Sequence, residues 1–482
     1  MLNYKVIFRY SGLLLFLEGL AMLVAMVVAI VYSEAVSGQI FIASAITIGV
    51  GMLLLTFVKQ SSRKPEKKDL FLMTTLTWLL LSFFGALPYV FSYTIPSPVD
   101  AWFESVSGFT TTGSSVLNNI DALPHGILFW RSLSQWIGGI AILYTAFMVF
   151  PSLSIGGMQI FILESPGIKS AKLSPRIRKT ALYLLTIYSS LTVLEAIILT
   201  LQGMSIFDAL CHSFATLSTG GFSTHQAGIA YFNSPMIEYT LIFFMFIAGI
   251  NYALHFLALN GKIKKAIRNE ELKYYIGVIL LFTVLITIGL LKTTPKGYEQ
   301  SFRESLFHVV AILTTTGFYT TNYAAWYPTL WYMLLLLFFI GASVGSTSGS
   351  MKLVRIELLL KDCLLEIKRI FNPNAVIPVR FNDRMVPERL MNHVVSFFLS
   401  YVLIFITSCI IFSLIEPNMQ TAFGTVAASL GNIGPGFGNY GPGHSYAAIH
   451  PAGKLLLSFL MLLGRLEIYT ILILFTRAFW KR

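Results

Sequence analysis

The chain has 482 residues, of which 55% are hydrophobic and only 12% carry a charged side chain. Soluble domains contain about 25% charged residues, so this composition excludes an ordinary soluble protein and predicts one that crosses a membrane several times. The formal net charge is +12. Because the basic residues lie in short loops between apolar segments, where they orient membrane helices, we do not predict nucleic-acid binding.

Apolar segments of membrane-spanning length follow one another along the whole chain. The first, Ser11 to Tyr32, lacks a signal-peptide cleavage pattern and is predicted to remain as a span. The pattern predicts an all-α polytopic membrane protein. Its ten apolar segments lie at approximately 10–33, 40–58, 70–95, 127–150, 181–202, 237–260, 274–291, 329–360, 394–415 and 453–476.

A motif recurs four times between the last eight segments. In each copy an acidic residue, or a threonine in the fourth, stands thirteen positions before a marker glycine, and a Ser or Asn stands three positions earlier still. Ser-x-x-Asp/Glu before an apolar run is typical of a helix start, because the Ser oxygen accepts from a free amide of the first turn. The predicted starts are Ser97, Ser205, Ser301 and Asn418. About ten apolar residues follow each start, half of what a bilayer crossing requires.

Each predicted half-helix ends in a polar string, at 110–113, 218–221, 314–317 and 431–434. Non-helical backbone at membrane depth is tolerated only inside protein or along a water-filled path. Four strings around one axis would stack carbonyl and hydroxyl oxygens, with four negative helix ends aimed at them, which suits a dehydrated monovalent cation. The candidate filter residues, where potassium would bind, are Thr111, Thr112, Gly113, Thr219, Gly220, Gly221, Thr315, Thr316, Gly317, Asn432, Ile433 and Gly434.

These four motifs and their flanking segments resemble the TrkH/KtrB/yeast Trk superfamily of potassium translocation subunits, most closely the TrkH type with two additional N-terminal helices. The resemblance implies four tandem helix–pore-loop–helix units around a central ion path, with the marker glycines at its narrowest part. It further implies potassium uptake, no covalently bound cofactor, a homodimer in the lipid membrane, and a cytoplasmic nucleotide-binding regulatory subunit of the TrkA/KtrA type. Only the fourth string departs from the family pattern, with Asn432 at the filter-threonine position.

Two other classes of membrane protein fit this pattern less well. An ion-coupled secondary transporter, carrying potassium together with sodium or protons, is the alternative, although inverted repeats and a midplane acid-lined site would be expected of it. A membrane hydrolase would need a motif such as H-E-x-x-H, which the sequence lacks. The three cysteines show no paired spacing and are predicted to be free.

The repeats divide the chain into five parts. Two N-terminal spans (1–69) precede pore unit 1 (70–168), pore unit 2 (169–270), pore unit 3 (271–392) and pore unit 4 (393–482). This arrangement places 28 of the 34 Lys and Arg residues on the same side as both termini. The positive-inside rule assigns that side to the cytoplasm, so the motifs face outward from the cell inner membrane.

Residues 341–350 interrupt the third inner helix with three Gly and five Ser/Thr, a composition unsuited to a lipid-facing helix. A small-residue packing face is the alternative, but the resemblance implies a gating loop, and no other inner helix is predicted to break. Arg465 lies near the middle of the last span, where an arginine is costly. The resemblance makes it an electrostatic barrier, and the alternative is an ion pair with Glu195 or Glu18. The predicted gate residues are Gly341, Gly345, Ser346, Gly349 and Arg465.

Two histidines occupy equivalent positions in the second and third half-helices. His212 and His308 stand where the other copies carry Glu104 and Thr425. We predict that both histidines pack behind the filter.

Overall fold

The structure is a computed structural model that describes residues 2–58, 65–146, 175–372, 374–375 and 377–481. The described part is almost entirely helical, as predicted. The predicted boundary between pore units 1 and 2, at 168 and 169, lies outside the described residues, as do residues 147–150 of the fourth apolar segment.

Two long helices, Tyr4–Val31 and Ser37–Phe57, precede the repeats and pack against each other. Glycines bring their backbones together, since a Cβ added at Gly51 would lie 2.7 Å from the backbone nitrogen of Phe16. Small residues allow this close approach within a membrane. The first helix also packs against Lys67–Gly85, and the backbone amide of Asn3, just before the first helix, donates to Asp69 Oδ1 at 2.7 Å.

Each pore unit contains an outer helix, a short pore helix and an inner helix. The outer helices are Lys67–Gly85 with its continuation Leu87–Phe91, then Pro175–Leu201, Glu270–Thr293 and Glu388–Ser413. The pore helices are Pro98–Phe109, Ile206–Leu217, Tyr298–Leu313 and Met419–Gly431. The inner helices are His125–Tyr144, Pro235–Ala248 with Tyr252–Leu259, Pro328–Ile340 with Leu353–Phe371, and Pro451–Arg465 with Ile468–Leu472.

Minor elements connect these helices. Short helices are Ile263–Ile267 and Arg477–Trp480, and 3-10 turns are Gly228–Phe232, Tyr323–Ala325, Gly438–Tyr440 and Ile473–Phe475. The strands Arg380–Phe381 and Arg384–Met385 form an antiparallel hairpin between units 3 and 4.

All ten predicted apolar segments correspond to helices. Six described helices are long and apolar enough to cross a membrane alone, and two bent pairs raise the number to eight. The other two segments correspond to His125–Tyr144 and to the interrupted helix at Pro328–Ile340. The chain is therefore a multi-pass membrane protein.

Three of the four predicted pore-helix starts are confirmed. Ser97 and Ser205 accept from the amides of Asp100 and Asp208, and Asn418 does the same for Thr421. The prediction for Ser301 was wrong, because this pore helix begins at Tyr298 with Gly297 before it. Glu299 then lies in the first turn, where a carboxylate is favourable, and pairs with Arg303 one turn later.

The prediction that only the third inner helix breaks was also wrong. The second bends by 96° between Ala248 and Tyr252, and the fourth bends by 114° between Arg465 and Ile468. At the first bend, Asn251 begins the new helix by accepting from the amide of Ala253. At the second, Glu467 has a left-handed φ of 62° and pairs with Arg355 at 2.6 Å, contacts that composition alone does not reveal.

Candidate ion-conduction site

The four polar strings share one backbone conformation. The residue two before each marker glycine is left-handed, with φ of 51° at Thr111, 54° at Thr219, 59° at Thr315 and 55° at Asn432. The marker glycines are left-handed as well, with φ from 73° to 101°. A β-branched threonine rarely adopts this conformation, so the surrounding structure must impose it at three of these positions.

Hydrogen bonds to the pore helices impose that conformation. In every unit, the amide just before the marker glycine donates to a carbonyl five residues earlier, at 2.8 or 2.9 Å. The amide of the left-handed residue donates to the carbonyl three residues earlier in all four units, at 2.9 to 3.3 Å. Because these string amides are directed back at their own pore helix, they do not compete for the string carbonyl oxygens. The donors just before the markers are Thr112, Gly220, Thr316 and Ile433.

The marker glycines show that the strings close into a ring. A Cβ added at Gly113 would lie within 3.0 Å of the carbonyl oxygen of Gly220, a distance real Cβ atoms essentially never show. The same collision recurs from unit 2 to Thr316 of unit 3, from unit 3 to Ile433 of unit 4, and from unit 4 to Thr112 of unit 1. The contacts therefore run from unit 1 through units 2, 3 and 4 and back to unit 1. We call residues 110–113, 218–221, 314–317 and 431–434 the central ring.

The oxygen atoms that the central ring offers are all uncharged, since none of its residues is acidic or basic. Its described Thr and Asn side chains are fully buried. Carbonyl and hydroxyl oxygens held at short range can replace the water around a cation of low charge, and the C-terminal ends of four helices add negative potential. The structure thus brings together all twelve predicted filter residues.

The fourth string, which forms the fourth wall of the central ring, makes contacts that the other three do not. Asn432 Nδ2 donates to Thr112 Oγ1 at 2.9 Å and to the Met461 carbonyl at 2.8 Å. Two hydroxyl groups, Ser114 Oγ and Tyr446 Oη, donate to the carbonyl oxygen of Gly434 at 3.0 and 2.8 Å. The sequence did not identify either of these donors, since no motif relates them to the fourth string.

Behind the ring, polar side chains hold the segments that follow the strings. Arg131 and Glu104 form a buried ion pair at 2.9 Å, and Arg131 also donates to the Ser223 carbonyl at 3.2 Å, which ties unit 1 to unit 2. His212 contacts Ser223 Oγ through Nε2 at 3.1 Å. His308 accepts from the Thr320 amide at 3.4 Å. Both histidines pack behind the ring, as predicted.

An acidic residue, Asp121, contacts His225 and Gln226, which line a cavity together with Gly113 and Gly221. Asp121 accepts from His225 Nδ1 at 2.7 Å and from the Gln226 amide at 3.1 Å. Partial burial acts to raise the pKa of Asp121, but these hydrogen bonds outweigh it and leave that pKa below its usual value.

On the other side of the ring, residues 341–350 form a buried non-helical loop, so the helical packing-face alternative was wrong. Gly341 and Gly345 adopt left-handed φ values of 72° and 74°. The Gly349 amide donates to Thr315 Oγ1 at 2.7 Å, and Thr347 Oγ1 donates to the Leu217 carbonyl at 3.0 Å. The loop therefore contacts the ring and the end of a neighbouring pore helix.

Arg465 lies beside this loop. Its Nη1 donates to the Thr347 carbonyl at 2.6 Å, and its side chain is buried. The other two guanidinium nitrogens have no partner among the described residues. In the part of the chain that the structure describes, Arg465 forms no ion pair with Glu195 or Glu18, so the structure does not support that alternative.

Four helix–pore-loop–helix units around a single central ring define a pore-loop membrane protein. The family model described as TrkH, cation transport protein, matches residues 36–482. The chain therefore belongs to the TrkH family of cation transport proteins. It is 38% identical to the Trk system potassium uptake protein TrkH of Escherichia coli over 100% of both chains, and 34% identical to TrkG of the same organism over 99% of both. The solved structure of the potassium transporter TrkH from Vibrio parahaemolyticus matches with a TM-score of 0.92, at 35% identity and covering 100% of both chains.

The cysteine prediction is confirmed for the described chain. Cys211, Cys363 and Cys409 are free, and only Cys363 is exposed.

Proposed function

We propose that this protein takes up potassium across the cytoplasmic membrane by passing the ion through the central ring. The observation that carries the proposal is the closed order of the marker glycines, in which each lies against a carbonyl oxygen of the next unit. Such a ring surrounds one axis and packs its four strings so closely that no side chain fits between neighbours at the marker glycines. The relatives TrkH and TrkG of Escherichia coli are named potassium uptake proteins, which agrees with the proposal.

The chemistry of the ring favours a monovalent cation. Ca²⁺ and Mg²⁺ sites normally include carboxylates, and the central ring has none. Each string is also shorter than the Thr-Val-Gly-Tyr-Gly run of tetrameric potassium channels. We therefore expect fewer binding positions and weaker discrimination against sodium than in those channels.

The 341–350 loop and Arg465 form the proposed gate. The loop lies against the ring through Thr315, and Arg465 holds the loop at Thr347. A positive charge with unpaired nitrogens near an ion path repels cations strongly where water is scarce. Opening therefore requires that the loop and the guanidinium move away together.

We further propose that both termini are cytoplasmic and that the protein works as a homodimer in the inner membrane, under a TrkA/KtrA-like nucleotide-binding subunit. The distribution of 28 of 34 basic residues supports this orientation. The basic segment between Lys352 and Arg389, in which Lys368, Arg380, Arg384 and Arg389 are exposed, is the proposed docking face for the subunit. Co-purification with such a subunit, and a change in flux on adding nucleotide, would test the pairing. A strict monomer that no such subunit binds or regulates would contradict it.

The decisive experiment is flux into proteoliposomes with potassium, rubidium and sodium supplied separately. We expect potassium and rubidium to enter faster than sodium, driven by membrane potential alone. If uptake instead requires a gradient of sodium or protons, the protein is a coupled transporter. Liposomes without protein, and liposomes with a marker-glycine variant, provide the two baselines.

A further inference from the structure

The second string lacks a side chain that two of the other strings have. Just before the marker glycine, units 1 and 3 carry Thr112 and Thr316, whose hydroxyls pair with those of Thr110 and Thr314 at 2.8 Å. Unit 2 has Gly220 at this position. The string of unit 2 therefore lacks this pair of hydroxyl groups, and its Ser218 and Thr219 hydroxyls donate only to carbonyls of the pore helix and of the string itself.

A glutamine from another unit contacts this wall. Gln135 lies on the inner helix of unit 1 and is fully buried. Its Nε2 donates to the Gly220 carbonyl at 2.6 Å, and its Oε1 accepts from the Phe222 amide at 3.1 Å. The two bonds span Gly221, the marker glycine. Because the contacting atom of Gly220 is its carbonyl oxygen and that of Phe222 is its amide N–H, the two bonds also determine which end of the Gln135 amide group faces each residue.

Gln135 can approach so closely only because residue 220 is a glycine. A Cβ at Gly220 would lie within 3.0 Å of the Gln135 side chain. The same Gly220 carbonyl oxygen is the one against which Gly113 of unit 1 packs. The oxygen that Gln135 holds is therefore a member of the central ring.

No equivalent amide is found on the fourth inner helix. Gly138 on the first inner helix and Gly464 on the fourth occupy equivalent positions. A Cβ at Gly138 would collide with the carbonyl oxygen of Phe109, and a Cβ at Gly464 with that of Leu430; each of these carbonyls lies four residues before the marker glycine of its unit. Three residues earlier stand Gln135 and Met461, and Met461 is equally buried. Methionine is thus tolerated at this position of the fold.

We infer that Gln135 is a positioning residue for ion selectivity, which sets the direction of the Gly220 carbonyl. The inference rests on the proposed function, since it assumes that the ring conducts. Selectivity between potassium and sodium depends on the number and field of the coordinating carbonyls. A carbonyl has two lone pairs, so Gly220 can accept from Gln135 and still face an ion. Without the amide, that carbonyl is free to turn.

Gln135→Met tests this role, because it keeps the length of the side chain and removes both hydrogen bonds. We expect the potassium-to-sodium flux ratio to fall about fivefold, equivalent to about 1 kcal/mol, the usual net value of one hydrogen bond. The matched control is Thr192→Val, which removes a partly buried bond made by the next residue along the helix, from Trp136 Nε1 to Thr192 Oγ1 at 3.1 Å. This control should leave the flux ratio unchanged.

A second pair of variants covers the case in which Gln135→Met does not fold. Gly220→Ala should reduce potassium uptake through its collision with Gln135, and the double variant Gln135→Ala/Gly220→Ala should recover part of the uptake. A wild-type flux ratio in Gln135→Met, or a double variant no better than Gly220→Ala alone, would overturn the inference. A wild-type protein that carries no potassium would instead overturn the proposed function.

Discussion

The central ring and the 341–350 loop are both buried, non-helical backbone, but they are built in different ways. The ring repeats one set of φ angles and amide bonds four times. The loop occurs once among the described inner helices and is held by individual bonds to several elements, among them those from Gly349 to Thr315 and from Thr347 to Leu217. The ring is thus held by a repeated set of bonds in every unit, whereas the loop is attached to the ring and its neighbours at single points.

This difference indicates which region can move. To displace one string, the bonds to its pore helix must break and the neighbouring carbonyl must shift. Because each string packs against the next around the ring, this shift would move the other strings as well. To displace the loop, individual bonds must break, some from side chains and some from backbone amides such as that of Ser343 to the Gly249 carbonyl, each worth about 1 kcal/mol net. Conformational change during transport is therefore expected in the loop.

The largest effect is expected from a side chain in the ring. Gly317→Ala would place a Cβ within 3.0 Å of the Ile433 carbonyl oxygen, and we expect potassium uptake to fall to background while membrane insertion persists. Gly203→Ala is the matched control, because Gly203 has a φ of 101° but nothing within 4 Å of an added Cβ. Normal uptake in Gly317→Ala would show that the ring is not the ion path.

The next largest effect is expected at the loop. Deleting Ser346 to Gly349, or replacing Arg465 with Ala, should each raise flux in the absence of a regulator by about tenfold, because each removes part of one barrier. The two changes together should add little. Arg465→Lys keeps the charge and serves as the control with low flux. If Arg465→Ala lowered protein yield and left flux per molecule unchanged, the arginine would have only a structural role.

The sequence was sufficient to predict the ring because the ring is repeated. Four copies of one spacing identified Gly113, Gly221, Gly317 and Gly434, and the threonines before them. Contacts that occur only once left no such signal. The bends at Asn251 and Glu467 depend on tertiary partners, and the start at Tyr298 depends on local bonds that the Ser-x-x-Glu pattern obscured. The only sequence feature related to Gln135 was the glycine at 220, in place of the threonine of units 1 and 3. A glycine does not indicate which residue elsewhere in the chain contacts it.

A smaller effect is expected at the fourth wall. Asn432→Thr makes this string like the others but removes the bonds to Thr112 Oγ1 and the Met461 carbonyl. Threonine is also less suited than asparagine to a φ of 55°. We expect a melting temperature lower by a few degrees, with potassium uptake retained, by thermal unfolding and flux in parallel. Loss of uptake at unchanged stability would mean that Asn432 contacts the ion.

The smallest effect is expected at Asp121, which lies outside both regions. The lowered pKa of Asp121 means that its contacts with His225 and Gln226 favour the charged carboxylate. Its contribution to stability is therefore fully present above the ordinary carboxyl pKa of about 3.9 and is lost as the pH falls through the lowered value. Asp121→Asn should cost less than about 1 kcal/mol at pH 7, because the pair is partly exposed and screened by solvent, and the difference from wild type should shrink in acid. Thermal unfolding of both proteins at pH 7 and in acid measures this. Flux and flux ratio should not change, and a change in either would extend the ion path to this carboxylate.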